Sequence, residues 1–230
     1  MQKLIITILL LMHYVLVNAQ TDTLLVDPRD GKEYKVVQIG SQVWMAENLR
    51  YADSIVRFFK PGKVNSAPGF WFQNYERVER GFKFKPYTYC YDDNDFFSNK
   101  FGYLYTREAA IKACPVGWHL PNEQEFEKLL LTVSGETDLK KAEQQLIDSK
   151  ALLPKGSSGL NLLYSGLLSV SSSDNDHTGK YEGLNYYTSF WVSSGKHHVT
   201  SIAFSDKSIN FYSDYYSSAL SVRCVKDSIP

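Results

Sequence analysis

No sign of charge dominates this chain: 25 Lys and Arg balance 25 Asp and Glu over 230 residues. It therefore lacks the basic stripe that nucleic acid or an anionic membrane surface requires. Cysteine is scarce, with Cys90, Cys114 and Cys224 making up the full set. No Cys-x-x-Cys occurs and no Cys/His spacing suits zinc, which argues against a metal cluster. After the first residues, no segment approaches the roughly twenty consecutive apolar residues of a membrane-spanning helix. A Gly-x-Ser-x-Gly nucleophile elbow is also missing. The sequence calls for no metal and no cofactor.

The one early apolar run, Leu4 to Val17, follows Lys3 and precedes the small-residue site Val17-Asn18-Ala19. That pattern predicts a secretory signal peptide over residues 1–19 and a single domain over 20–230. No cysteine follows the run, so a lipoprotein anchor lacks its acceptor thiol. The expected location is the periplasm, the cell surface or the extracellular space. Export makes one disulfide and one spare thiol the natural reading of three cysteines. Cys114–Cys224 is the preferred pair, with Cys90–Cys114 as its rival. Tyrosine is abundant, at 16 residues beside 13 Phe and 4 Trp. Such a set builds an aromatic β core, an aromatic binding surface, or both.

Residues up to Val26 read as a polar lead. Glu33 to Ile39 alternates, turns at Gly40-Ser41 and returns through Gln42 to Ala46, which predicts a β-hairpin. From 52 to 99, Gly and Pro scatter among aromatics, as in an irregular insertion. Asp92-Asp93-Asn94-Asp95 is rich in oxygen, yet it lacks the glycine and glutamate of an EF-hand and reads as a solvated capping turn. Three helices are predicted, over Thr106–Cys114, Glu123–Thr132 and Asp138–Lys150. The second has Asn122 and Glu125 spaced for a capping box and Phe126, Leu129, Leu130 and Val133 on one face. Short strands should follow at 160–164, 166–170, 186–194, 199–204, 209–212 and 219–225. His119, between Trp118 and Leu120, reads as a packed core residue.

Five stretches in chain order resemble the Fibrobacter succinogenes major paralogous domain family. They are Gly40-Ser-Gln-Val-Trp-Met-Ala-Glu-Asn-Leu-Arg-Tyr51, Thr88-Tyr-Cys-Tyr-Asp-Asp-Asn94, Gly102-Tyr-Leu-Tyr105, Cys114-Pro-Val-Gly-Trp-His-Leu-Pro121 and Ser221-Val-Arg-Cys-Val-Lys-Asp227. The family is similar, more distantly, to the C-type-lectin-like fold and the formylglycine-generating enzymes. The resemblance implies an α+β class: a single C-type-lectin-like domain with an N-terminal β-hairpin, two to three central helices and C-terminal antiparallel strands. It also implies a bridge from a cysteine ending the first helix to one in the last strand, the places of Cys114 and Cys224. Formylglycine-generating chemistry needs a late cysteine pair, and only Cys224 lies in the C-terminal half.

The expectation is a secreted, non-enzymatic binding or surface module whose partner is a glycan or a cell-envelope component. A structural part of the envelope, or an enzyme with a loop-built site, are the alternatives. Aromatic and acidic residues of the middle and late loops are the binding candidates: Trp71, Tyr87, Tyr89, Asp92, Asp93 and Asp95, then Trp191, Tyr212, Tyr215 and Tyr216.

Overall fold

A computed structural model describes residues 23–52, 57–58, 75–78, 81–84, 87–170, 179–194, 200–213 and 218–227. The chain is mixed α+β, with two larger sheets and four α-helices among the described residues. The first sheet is antiparallel throughout. It begins with β1 (Thr23–Val26), β2 (Glu33–Ile39) and β3 (Gln42–Met45), and is completed by β9 (Trp118–His119) and β16 (Val225–Lys226) in the order β1-β2-β3-β16-β9. The expected hairpin is therefore present. The polar lead is not: Thr23–Val26 pairs with Val36 to Glu33 as a strand. Two exposed apolar residues, Leu24 and Val26, give it a strand-like composition that its short length concealed.

The second sheet is larger and mixed. It contains β4 (Arg57–Phe58), β7 (Tyr87–Tyr89), β8 (Leu104–Tyr105), β10 (Ser165–Val170), β11 (Gly179–Leu184) and β12 (Tyr187–Trp191). The meander strands β13 (Ser201–Ser205) and β14 (Ile209–Tyr212), with β15 (Leu220–Ser221), complete it. A separate hairpin joins β5 (Tyr75–Val78) to β6 (Gly81–Phe84). The expected strand at 219–225 is divided: Leu220–Ser221 pairs in the larger sheet, and Val225 crosses to pair with Trp44 and His119 in the smaller. Residues 160–164 alternate in burial but form no ladder, and Asn161 sits at φ 53°.

Helix α1 (Asp95–Phe101) falls within the stretch expected to be irregular; Asn94 caps it by accepting from the Phe96 N–H. Next come α2 (Arg107–Ala113), α3 (Glu123–Ser134) and α4 (Leu139–Ser149). α3 carries the full capping box, in which the Asn122 side chain accepts from Glu125 N and the Glu125 carboxylate accepts from Asn122 N. Such a cap contributes about 1 kcal/mol. Gly135, at φ 74°, closes the helix in the left-handed conformation that glycine adopts without strain. Phe126, Leu129 and Leu130 bury the inner face against Trp44, Leu146, Phe190 and Phe204. Each such side chain contributes about 1.5–3 kcal/mol through removal of apolar surface from water.

α2 buries three alanines, Ala109, Ala110 and Ala113, in a second cluster with Met45, Leu49, Tyr105, Trp191 and Val222. The small side chains let the helix approach the sheet closely. It ends at Cys114, which bridges to Cys224 across a Cα–Cα distance of 5.8 Å. The preferred pairing is thus the one formed, and Cys90 is a buried thiol outside that bridge, with its Sγ 3.9 Å from Asp95 Oδ1.

Between the sheets lies a buried polar network. Arg223 is 2% exposed. It donates to Asn48 Oδ1 at 2.8 Å and to the carbonyls of Met45, Leu160 and Asn161. Burial pulls its pKa down to about 9, so it stays charged at neutral pH. Asn48 Nδ2 donates to the Phe101 carbonyl and reaches Ser221 Oγ, which continues through Ser165 Oγ to Thr188 Oγ1. Gly102 packs on this amide: a Cβ there would lie 2.6 Å from Asn48 Cβ, and the backbone holds φ 82°. Buried polar groups are tolerated when satisfied in this way.

Candidate functional site

The residues singled out from the sequence do not gather into one surface. Trp71, Tyr215 and Tyr216 lie outside the described residues. Tyr89 and Trp191 belong to the core, at 1% and 0% exposure, so neither can present a ring to a ligand. Trp191 Nε1 donates to the Tyr105 carbonyl at 2.6 Å, and the Arg107 guanidinium lies over its ring. Strand alternation explains the error. It says that Trp191 faces opposite to Phe190, but not that α2 covers the Trp191 face as well. Tyr87 is half-buried. Asp92 is exposed at φ 51° in a 3₁₀ turn over Tyr91–Asp93, and Asp95 is exposed in the first turn of α1. That acidic run serves as a turn into a capped helix. Tyr212, 46% exposed, lines a cavity.

The cavity is a shallow groove of about 350 Å³ on the outer face of the β12–β13–β14 meander. Its shape follows from register. Tyr187 pairs with Ser205, Ser189 with Ala203, and Ser201 with Tyr212. Small side chains thus meet in the middle, and a tyrosine stands towards each end. Leu167 of β10 supplies an apolar wall. Ser205 and Ser208 shape one lip, where Ser205 Oγ accepts from the N–H groups of Lys207 and Ser208. Gly183 positions Tyr187: a Cβ at Gly183 would run into the Tyr187 ring, so only glycine lets the ring lie there. Burial, helped by Glu182 and Tyr91, raises the Tyr187 pKa, which keeps the phenol neutral.

Among the described residues, no Asp, Glu, His, Lys or Arg lines the groove. The groups there that carry exchangeable protons are the hydroxyls of the tyrosines and serines. The hydroxyls of Tyr187, Ser189 and Tyr212 make no hydrogen bond among the described residues; Tyr212 is exposed and Ser189 is buried. Tyr187, Ser189, Ser205 and Ser208 escaped the sequence reading. The alternating Tyr187-Thr-Ser-Phe-Trp191 was their one signal, and it favoured the indole over the outward-facing positions.

A second cluster lies at the other sheet. His119 is part-exposed, not packed in the core as expected. Its Nδ1 is 2.6 Å from Asp227 Oδ1 and its Nε2 is 2.8 Å from Glu125 Oε1. Burial lowers the His119 pKa, but the hydrogen bonds to Asp227 and Glu125 outweigh it and the net shift is upward. A carboxylate accepts and cannot donate, so both ring nitrogens must carry protons to satisfy both partners. Such an imidazolium has no lone pair with which to bind a metal or accept a proton. His177, His197 and His198 lie outside the described residues. Among the described residues no group of His, Cys, Asp and Glu is arranged to hold a metal ion. No described helix is long and apolar enough to cross a membrane.

No curated protein and no solved structure matched the chain. A family model did, that of the Fibrobacter succinogenes major domain, over residues 37–226. The matched span contains Trp44 and Asn48, both partners of the disulfide, and Arg223, which together form the buried framework described above. By that match, the chain belongs to the Fibrobacter succinogenes major domain family.

Proposed function

We propose that this protein is an exported, non-enzymatic binding module that takes a neutral glycan of the cell envelope into the Tyr187–Tyr212 groove. One observation carries the reading: two tyrosines and three serines line an open groove in which no described residue is charged. Sugar rings present apolar C–H faces that suit aromatic rings, and hydroxyls that suit serine and tyrosine. Shallow, neutral sites of this kind give modest affinity, which repetition along a polymer raises through avidity. A C-type-lectin-like fold is part of the proposal. It is supported by the bridge from the end of α2 to the terminal segment and by first and last strands sharing one sheet.

Export and binding are tested together by locating the protein in cell fractions and measuring retention on isolated envelope polysaccharide. Retention should be lost with Tyr212→Ala and with Ser189→Tyr, which fills the trough. Equal retention of both variants would overturn the assignment of the groove, and absence of any polysaccharide retention would overturn the glycan reading.

A further inference from the structure

A second cavity lies on the opposite face of β13 from the groove, between the end of α4, the following loop and the β13–β14 turn. Leu146, Leu162, Phe204 and Ile209 form its buried floor. Its volume is about 150 Å³, and an apolar protein cavity of roughly that size holds a benzene-sized group. Two opposite charges stand at its mouth, Lys150 and Asp206. Both are exposed, and neither makes an ion pair or side-chain hydrogen bond among the described residues.

Lys150 is held there at a cost. It is the C-cap of α4 at φ 55°, the left-handed position that glycine ordinarily fills. A side chain with a Cβ is strained there by on the order of 1 kcal/mol. Residues kept in such conformations concentrate at binding sites, where the side chain is what matters. The charge on the other side comes from the turn between β13 and β14. Asp206 is near enough to Tyr164 to raise the pKa of its phenol, although burial is the larger cause.

We infer that this cavity binds a free α-amino acid with a six- or seven-carbon-sized apolar side chain. The side chain enters the Leu146–Phe204 floor, the carboxylate meets Lys150 and the ammonium meets Asp206. A purely apolar molecule would leave both charges unused, and a singly charged one would leave one of them unmatched. Phe204 and Ser205 belong to the walls of both cavities, yet the two sites take different chemistry and are tested separately.

Methyl and amide NMR shifts of the full folded protein, titrated with L-phenylalanine, phenethylamine, phenylacetate and toluene, test the inference. L-phenylalanine should shift resonances of Leu162 and Ile209 at the lowest concentration. Lys150→Gly, which relieves the left-handed strain and so keeps the fold, should weaken L-phenylalanine about three- to fivefold and leave phenethylamine unchanged. Asp206→Asn should do the converse, sparing phenylacetate. Ile147→Trp, at the rim, should block all four ligands. Toluene binding as tightly as L-phenylalanine, indifference to both charge variants, or no shifts at all would each overturn the inference. Tyr212→Ala should change none of these titrations, which separates this site from the glycan groove.

Discussion

Around Arg223, amide, guanidinium, hydroxyl and carbonyl groups are buried together and bonded to one another. In the groove between Tyr187 and Tyr212, the hydroxyls of Tyr187, Ser189 and Tyr212 make no hydrogen bond among the described residues, while Ser205 and Ser208 bond to each other. The two regions touch the same strands: Thr188 of β12 belongs to the network, and its neighbours Tyr187 and Ser189 belong to the groove. Alternation sends successive side chains to opposite faces, so one strand can serve stability on one side and recognition on the other. The contrast teaches that polar composition alone does not mark a site. Saturation marks structure, and unspent hydrogen-bonding capacity marks a surface available to a ligand.

The sharpest way to break this contrast is through the framework. Replacing Cys114 and Cys224 together with serine opens a loop whose ends are 110 residues apart in sequence. The chain-entropy model puts the loss at about 4–5 kcal/mol. Chemical denaturation should show it as a lower midpoint, with groove binding retained by the molecules that remain folded. Arg223→Leu comes next. It strands the acceptors at Asn48, Met45, Leu160 and Asn161, and should cost about 3–5 kcal/mol. Measured stability falling by less than about 1 kcal/mol would show that the network is not the framework described here.

Groove changes should behave in the opposite way. Tyr212→Ala is expected to reduce glycan affinity by about 1–2 kcal/mol while changing stability by less than about 0.5 kcal/mol. Calorimetric binding and thermal unfolding of the same sample decide it. The smallest effect belongs to His119. Its pKa is raised in the folded state from an ordinary 6.5. The stabilisation is therefore fully present below about pH 6.5 and is lost as pH rises through the raised value. Because the ring is part-exposed, solvent screening limits the effect to less than about 1 kcal/mol. Unfolding midpoints measured across pH 5–9 should show this slope in the native chain and lose it in His119→Gln.

Local chemistry made much of the framework legible. The capping box at Asn122 and Glu125 and the hairpin turning at Gly40-Ser41 act over a few residues, where sequence spacing is geometry. The pairing of Cys114 with Cys224 was readable because few cysteines leave few choices. Residues 160–164 show the limit. Leu160 and Leu162 alternate as strand residues do, yet they are buried by packing, and the carbonyls of Leu160 and Asn161 bond Arg223 in place of a neighbouring strand. Alternation reports burial and is silent about the hydrogen-bond partner. The groove was hidden for a related reason. Ser189 and Ala203 form a trough because they face each other across two strands, a fact of register that no single stretch contains.

The disulfide also has a mechanical meaning. A pull applied to Thr23 and Asp227 travels through the covalent chain to Cys114, crosses the sulfur bridge and leaves through Cys224. Residues 115–223 hang on a closed loop beside that path and carry no covalent tension, and both cavities are built mainly from them. Reduction would place those residues in series with the load. In the oxidised form, a pull between Thr23 and Asp227 leaves the residues around both cavities off the covalent load path.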